Sequence, residues 1–594
     1  MANLANTEQE KGLLEEINLE APKAILERFS TLIRESGSED EKIAADFLTD
    51  FLKKWEIPHQ VHNPELYLSI PKKSYLKVTA PTEKEYRVKS PSFSVITGDE
   101  AVSGELVYIS TGYAKGINDI FGTKVQGDLG DLRGKIILTE GYPMPGKVQE
   151  FADMGATAIM FISPGNNIHE GICTTIWGAP DLDNVKNEPK IPVLAINKPD
   201  GGELIELSKS ETVTLEFKTF LEKGWFNCPV IDIFIEGTEE PEKYVLLHGH
   251  LDSWHEGIGD NATGNAALIE MARILYKNRS KLKRSVRIAV WTGHSTGRYA
   301  GSTWFVDQFG LDLEKNCIAS VNCDSPGCRW ATSYEYMMWM SEVDEFCKDV
   351  VKDAVDQPSA GKRPLRAGDY SFNNIGITSF FMLSSSIPED VLKEKGYYPV
   401  GGCGGNIEWH TEEDLMHVAD LDILVKDIKV YLTGVIRAAN ATIYPFDFTR
   451  TVDEFTETIQ TYQDAAGTHF DFTSALDEVA RLRENLAAFY QKISKLQESD
   501  ISNPEVKQAN KVIEKLARIL IPINFTKRGK FWHDSALNVP ALPDIAPALT
   551  FGQTQEGTHQ YKVLKTHLMR GQNRVIWALQ EAREVLSYSQ LEND

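Results

Sequence analysis

The sequence predicts an α/β protein built on a mostly parallel sheet, with an inserted β-rich module and a helical C-terminal region. Three observations predict it. From 226 to 450, short apolar runs alternate with amphipathic stretches: KYVLLHGH, NATGNAALIEMARILYKN, RSVRIAVWTG and NCIASVNCD. Such alternation implies crossover connections and therefore parallel neighbours. From about 98 to 222, SGELVYIS, GKIILTEG, ATAIMFIS and IPVLAINK are apolar runs bounded by Gly, Pro and Asn, the texture of a small β-rich module. Beyond about 450, ALDEVARLRENLAAFYQKISKLQ, VKQANKVIEKLARILI and KTHLMRGQNRVIWALQEAREVLSYS carry helical spacing.

The remaining elements follow in chain order. Residues 8–57 read as helical, and SGSEDEKIAADFLTDFLKKW has a polar start, an acidic first turn and lysines at its end. HQVHNPELYLSI and SYLKVTAP read as strands, KVQEFADMG as a helix packed on the insert, and VPALPDIAPALT as a Pro-rich extended linker. A chain of 594 residues is too long for one core. The expected division is 1–97, the N-terminal part of the main domain; 98–222, the insert; 223–450, the rest of the main domain; and 451–594, a helical domain.

Composition narrows the function classes. Hydrophobic residues at 42% and charged residues at 25% suit a globular protein. A net charge of −24 argues against nucleic acid or an anionic membrane as the main partner, because both require a basic face. No run reaches the ~18 apolar residues of a membrane span. The start MANLANTEQEKGLLEEINLE lacks the features of a signal peptide. The seven cysteines are scattered and odd in number, which reads as reduced thiols in a cytoplasmic protein.

In a parallel sheet the chemistry gathers at the carboxyl ends of the strands. The first such strand ends in His248-Gly-His250-Leu-Asp252, with Gly259-Asp260-Asn261 opening the next helix. Imidazole is a good metal ligand, and a carboxylate beyond it can fix its tautomer. Another strand ends in Asn322-Cys323-Asp324, where a lone buried carboxylate is costly without a partner. His410 follows the flexible run Gly401-Gly402-Cys403-Gly404-Gly405 and suits a ligand that closes the site.

The order His-x-Asp, Asp-Asn, Asp at a strand end and a late His resembles the co-catalytic zinc metallopeptidases of the aminopeptidase, glutamate carboxypeptidase and transferrin-receptor type. The resemblance covers 226–450. The segment LRGKIILTEG with GATAIMFIS resembles the protease-associated domain found inserted in several peptidase families. The resemblance implies that His250, Asp260 and Asp324 hold one divalent metal. It also implies that Asp260 bridges to a second metal held by His410, that Asp252 orients His250, and that the Asp260–Asn261 peptide is cis. Zinc is the first expectation, as one or two ions, ahead of iron, manganese or cobalt. The helical tail implies a homodimer. Arg366-Ala-Gly-Asp369-Tyr370-Ser371-Phe372 resembles the family's Ser-Asp-His-x-x-Phe stretch, with Tyr370 in the place of His.

The match breaks at one strand end. The family places Glu-Glu there, a general base followed by a metal ligand; this chain reads Gly293-His294-Ser295-Thr296-Gly297-Arg298-Tyr299. An imidazole titrates near working pH and can serve as a base, or it can become a ligand. Arg298 and Tyr299 can polarise a carbonyl or grip a carboxylate. His255, Glu256 and Glu408 are candidates to replace the lost ligand. Three functions follow: a metal-dependent hydrolase of an amide or peptide bond in a small peptide or small molecule; a metal enzyme of another class on the same frame; and a non-catalytic binder like the transferrin receptor.

Overall fold

The computed structural model describes residues 7–121 and 131–591; the first six residues of the polar N-terminal stretch lie outside the described residues. Thirteen strands are described. The first eight are β1 (His59–His62), β2 (Glu65–Ala80), β3 (Lys84–Tyr86), β4 (Val102–Tyr108), β5 (Lys135–Glu140), β6 (Ala158–Ile162), β7 (Val193–Ile196) and β8 (Thr214–Asn227). They are followed by β9 (Val230–Ile235), β10 (Glu240–His250), β11 (Arg284–Trp291), β12 (Cys317–Asn322) and β13 (Thr378–Phe380).

The main sheet has the order β1-β9-β11-β10-β12-β13. β10 runs parallel to β11 and β12, and β12 parallel to β13, whereas β9 and β1 pair antiparallel at one edge. Every residue of β11 and β12 is buried, as strands covered on both faces must be. Alternate side chains of β10 serve opposite layers. Val245 and Leu247 join the core with helix Thr263–Lys277, and Tyr244 and Leu246 join Phe305, Val306 and Leu313 of helix Ala300–Asn316. The helix expected near residue 36 spans Glu39–Lys54, and the Ser38 side chain accepts from Glu41 N at its start.

A second sheet has the order β3-β2-β8-β4-β5-β6-β7. β2 and β8 form a long antiparallel arm from Glu65↔Asn227 to Ala80↔Thr214. This sheet therefore begins well before residue 98 and ends after 222. The texture read as the end of the first segment is the first strand of the arm, whose alternation resembles that of its partner. β4 to β7 are parallel, with helices Pro145–Asp153 and Lys198–Ser210 beside them.

From Phe448 onward the regular structure is helical: Phe448–Ala466, Thr473–Ile493, Pro504–Phe525, Ala548–Phe551 and His559–Leu591. These helices share one continuous apolar core with the main sheet. The segment read as an extended linker is packed instead, with Leu542 and Ile545 fully buried and Ala548–Phe551 helical. Its alternating prolines and apolar residues supply core contacts as well as helix breaks. Arg518 ties the region to the main domain by donating to the carbonyls of Glu314, Cys317 and Gly376.

Candidate metal centre

The register of the main sheet brings the suspected ends together. His248 lies opposite Ala289 and Asn322, and His250 opposite Trp291. Segments 250–252, 293–295 and 323–324 therefore leave the sheet side by side. Gly249 permits this closeness, because a Cβ there would lie 2.6 Å from Cys323 O.

His250 Nε2 lies 3.0 Å from Asp260 Oδ1 and 3.8 Å from Asp324 Oδ2. His410 Nε2 lies 3.2 Å from the other oxygen of Asp260. Asp260 thus stands between the two imidazoles, in the bridging place, and the Asp260–Asn261 peptide is cis. Asp414 holds this turn by accepting from Gly259 N at 2.7 Å and Asp260 N at 3.0 Å. Burial pushes the Asp414 carboxyl up to about 7.

The rings are oriented from behind. His250 Nδ1 donates to the main-chain carbonyl of Asp252 at 2.8 Å, while the Asp252 carboxylate is 3.8 Å away. That carboxylate braces the neighbouring turn, accepting from Ser36 Oγ, His294 N and Ser295 N. His410 Nδ1 donates to Glu170 O at 3.1 Å, and Glu170 N donates to His410 O at 2.8 Å. A residue from the second-sheet part of the chain therefore fixes His410. Nothing in the sequence signalled this, since the two are |i−j| = 240 apart.

His294 stacks on His250, with ring centroids 3.8 Å apart and an 11° interplanar angle. Its Nδ1 donates to the buried Asp369 at 2.7 Å, which leaves Nε2 as the free nitrogen. Burial opposes ionisation of Asp369, but His294 outweighs it and holds the carboxyl down to about 2. Tyr299 lies edge-on to His294 at 4.9 Å, and Arg298 lines the same cavity. Arg298 and Tyr299 both have positive φ, 49° and 69° respectively.

The candidates for a replacement ligand do not reach the centre. His255 pairs with Glu170 at 3.0 Å, Glu256 lends its carbonyl to Arg34, and Glu408 pairs with Arg329. Arg366 is spent on the carbonyls of Asp534 and Ser535. Trp177 packs between Arg366 and Tyr299, with Ser371 accepting its indole N–H. All seven cysteines are free and buried.

The donor set fits a divalent cation. His250 Nε2 and Asp260 Oδ1 face each other at 3.0 Å in a buried pair, and neither has another hydrogen-bond partner among the described residues, an arrangement that a cation between them would satisfy. Although burial opposes charging His250, Asp260 and Asp324 hold its imidazole well above the ordinary range, so the cavity favours a positive charge. Ligand atoms of His250, His294 and Asp324 also lie within 4.8 Å of one another.

Fold and donors define the class: an α/β sheet carrying at its carboxyl edge a buried His/Asp cluster of the kind that can hold a metal ion. Residues 232–429 match the model of peptidase family M28. The chain is 25% identical over 317 residues to a glutamate carboxypeptidase 2 homolog of Caenorhabditis briggsae, covering 42% of this chain and 40% of that protein. It is 24% identical over 318 residues to carboxypeptidase Q of Xenopus laevis, covering 49% of this chain and 60% of that protein. It thus spans less than two thirds of these relatives' lengths. An aminopeptidase from Aneurinibacillus sp. strain AM-1 shares the fold, with a TM-score of 0.53 at 18% identity over 72% of this chain and 96% of that one.

Proposed function

We propose that the chain is a metal-dependent hydrolase of an amide or peptide bond in a small substrate, working from an altered centre. The observation that carries this reading is the convergence of His250, Asp260 and Asp324, with His250 Nε2 and Asp260 Oδ1 buried and lacking any further described partner. These three would hold one divalent ion, with zinc first and iron, manganese or cobalt behind it. A divalent ion held by these residues would supply Lewis acidity and would lower the pKa of a water bound to it toward neutral pH.

The rest of the work falls to the chain's own residues. Asp252 O fixes the His250 tautomer. His294, anchored by Asp369, is available at Nε2 to take and return a proton. Ser295 is a weak ligand in the place of a carboxylate, so the side of Asp260 and His410 is the weaker one. That loss also favours the second reading, a metal enzyme of another class on the same frame. The intact donors argue against a purely structural binder such as the transferrin receptor.

On this reading the second sheet is a protease-associated-like insert that roofs the site. The helical region is a dimerisation unit, with Val563, Met569 and Trp577 exposed along its last helix. Light scattering at micromolar concentration is expected to give a dimer; a monomer overturns that part. Among the described residues no helix is long and apolar enough to cross a membrane.

Metal analysis of the purified chain tests the centre. The expected result is one tightly held ion that survives His410→Ala. His294→Ala is expected to keep that ion while turnover falls by about 10²-fold or more. Loss of the ion in His294→Ala makes His294 a ligand instead. Absence of any bound metal removes the enzyme readings altogether, and bound metal with no turnover across a peptide and N-acyl amino acid panel favours the second.

A further inference from the structure

We propose that Arg298 is a specificity residue that grips a carboxylate of the substrate beside the metal centre; the proposal rests on reading that centre as a substrate site. Arg298 is 4% exposed and lines the same cavity as His294, Asp260, Asp324 and His410. No described residue accepts a hydrogen bond from its guanidinium or pairs with it, and its Nε is buried without a partner. A buried, unpaired guanidinium is costly. The other buried arginines near the centre are provided for: Arg34 donates to the carbonyls of Leu251, Glu256 and Gly257, and Arg366 to those of Asp534 and Ser535.

The backbone directs this side chain into the cavity wall. Arg298 and Tyr299 take left-handed φ values, which non-glycine residues hold only when their surroundings enforce them. The enforcing bonds are Gly178 N to Arg298 O at 2.7 Å and Tyr299 N to His294 O at 3.3 Å. The guanidinium lies 5.0 Å from the Tyr299 ring centroid, and that ring packs at 4.3 Å on Trp177. The guanidinium therefore sits on a rigid aromatic platform, with its donor edge as the part left to bind.

Charge decides what it binds. Of the carboxylates of the centre, Asp260 and Asp324 would be taken up by a divalent ion, and Asp369 accepts from His294. Where a Glu-Glu pair would have contributed two negative charges, His294 and Ser295 contribute none. No described carboxylate pairs with Arg298, so the direct partner of its guanidinium would come from the ligand. A guanidinium fork matches a carboxylate bidentately, so the ligand class is an amide bearing a free carboxylate close to the scissile bond.

The test measures binding rather than turnover. Zinc-loaded protein is titrated by calorimetry with N-acetyl-alanyl-alanine and with its C-terminal carboxamide. The acid is expected to bind at least about 10-fold more tightly than the amide. Arg298→Gln is expected to abolish that preference while zinc content stays unchanged. If Arg298→Gln does not fold, Arg298→Lys takes its place and is expected to keep a reduced preference, since a point charge lacks the fork. Equal binding of acid and amide by the wild type, or binding of neither, overturns the proposal. So does a preference that persists in Arg298→Gln, because the carboxylate is then held by the metal. Preference without turnover keeps the clamp and instead counts against the hydrolase reading.

Discussion

At the residue scale the centre is defined by which nitrogen each histidine keeps free. His250 and His410 both have Nδ1 tied to a main-chain carbonyl, so Nε2 is left for the cavity. His294 has Nδ1 tied to a carboxylate, a stronger acceptor than a carbonyl. Asp369→Asn keeps the shape but removes that charge. We expect turnover to fall about 10- to 100-fold with metal content unchanged, and metal analysis beside steady-state kinetics checks it. A matching loss of metal would assign His294 to the ion instead. Most of this set was legible in the sequence, because strand-end His and Asp residues are poorly explained by packing. The anchors were not: Glu170 O and Asp414 are brought in by folding and carry no local signature.

At the element scale the precision of the site comes from close packing of strand ends. β10 and β12 approach so tightly after His248 that Cys323 N donates to His248 O at 2.6 Å. Gly249 is the residue that permits it. Gly249→Ala is expected to push segment 323–324 away, moving Asp324 off His250. Zinc affinity should drop by more than about 10-fold and the melting temperature by several degrees, read by metal titration and calorimetry. The strands themselves were legible from their apolar runs. The extent of the second sheet was less so, since β2 and β8 are joined by pairing across Glu65↔Asn227 while the sequence shows only two separated alternating stretches. The supposed linker at 539–550 failed for a similar reason: proline marks where a helix stops but is silent about whether the segment is buried.

At the scale of the whole molecule, the helical region and the main domain meet at Glu342. Its carboxylate accepts from Thr378 of β13 and from Thr451 of helix Phe448–Ala466. Burial pushes its pKa from the ordinary 4.5 up to about 7. The folded state thus prefers the protonated form. The stability it gives is fully present below 4.5 and is lost as pH rises through 7, on the order of 3 kcal/mol. Glu342→Gln should flatten that part of the stability–pH curve and melt higher than the wild type above pH 7; thermal melts from pH 4 to pH 9 check it. An unchanged curve would mean that water or a shift of Thr451 relieves the ionised form.

The sequence by itself determined the class of sheet, the order of the candidate metal donors and the presence of His294-Ser295 where the family it resembles has Glu-Glu. These are local: periodicity and strand-end chemistry are written residue by residue. Only the tertiary structure decided that Asp252 braces the His294 turn with its carboxylate and His250 with its carbonyl. It alone decided that Asp369 stands behind His294, and that Arg298 is buried at the cavity with no described residue paired to its guanidinium. Hydrogen-bond partners and counter-charges are set by what the fold places within about 3 Å, and sequence distance does not report that.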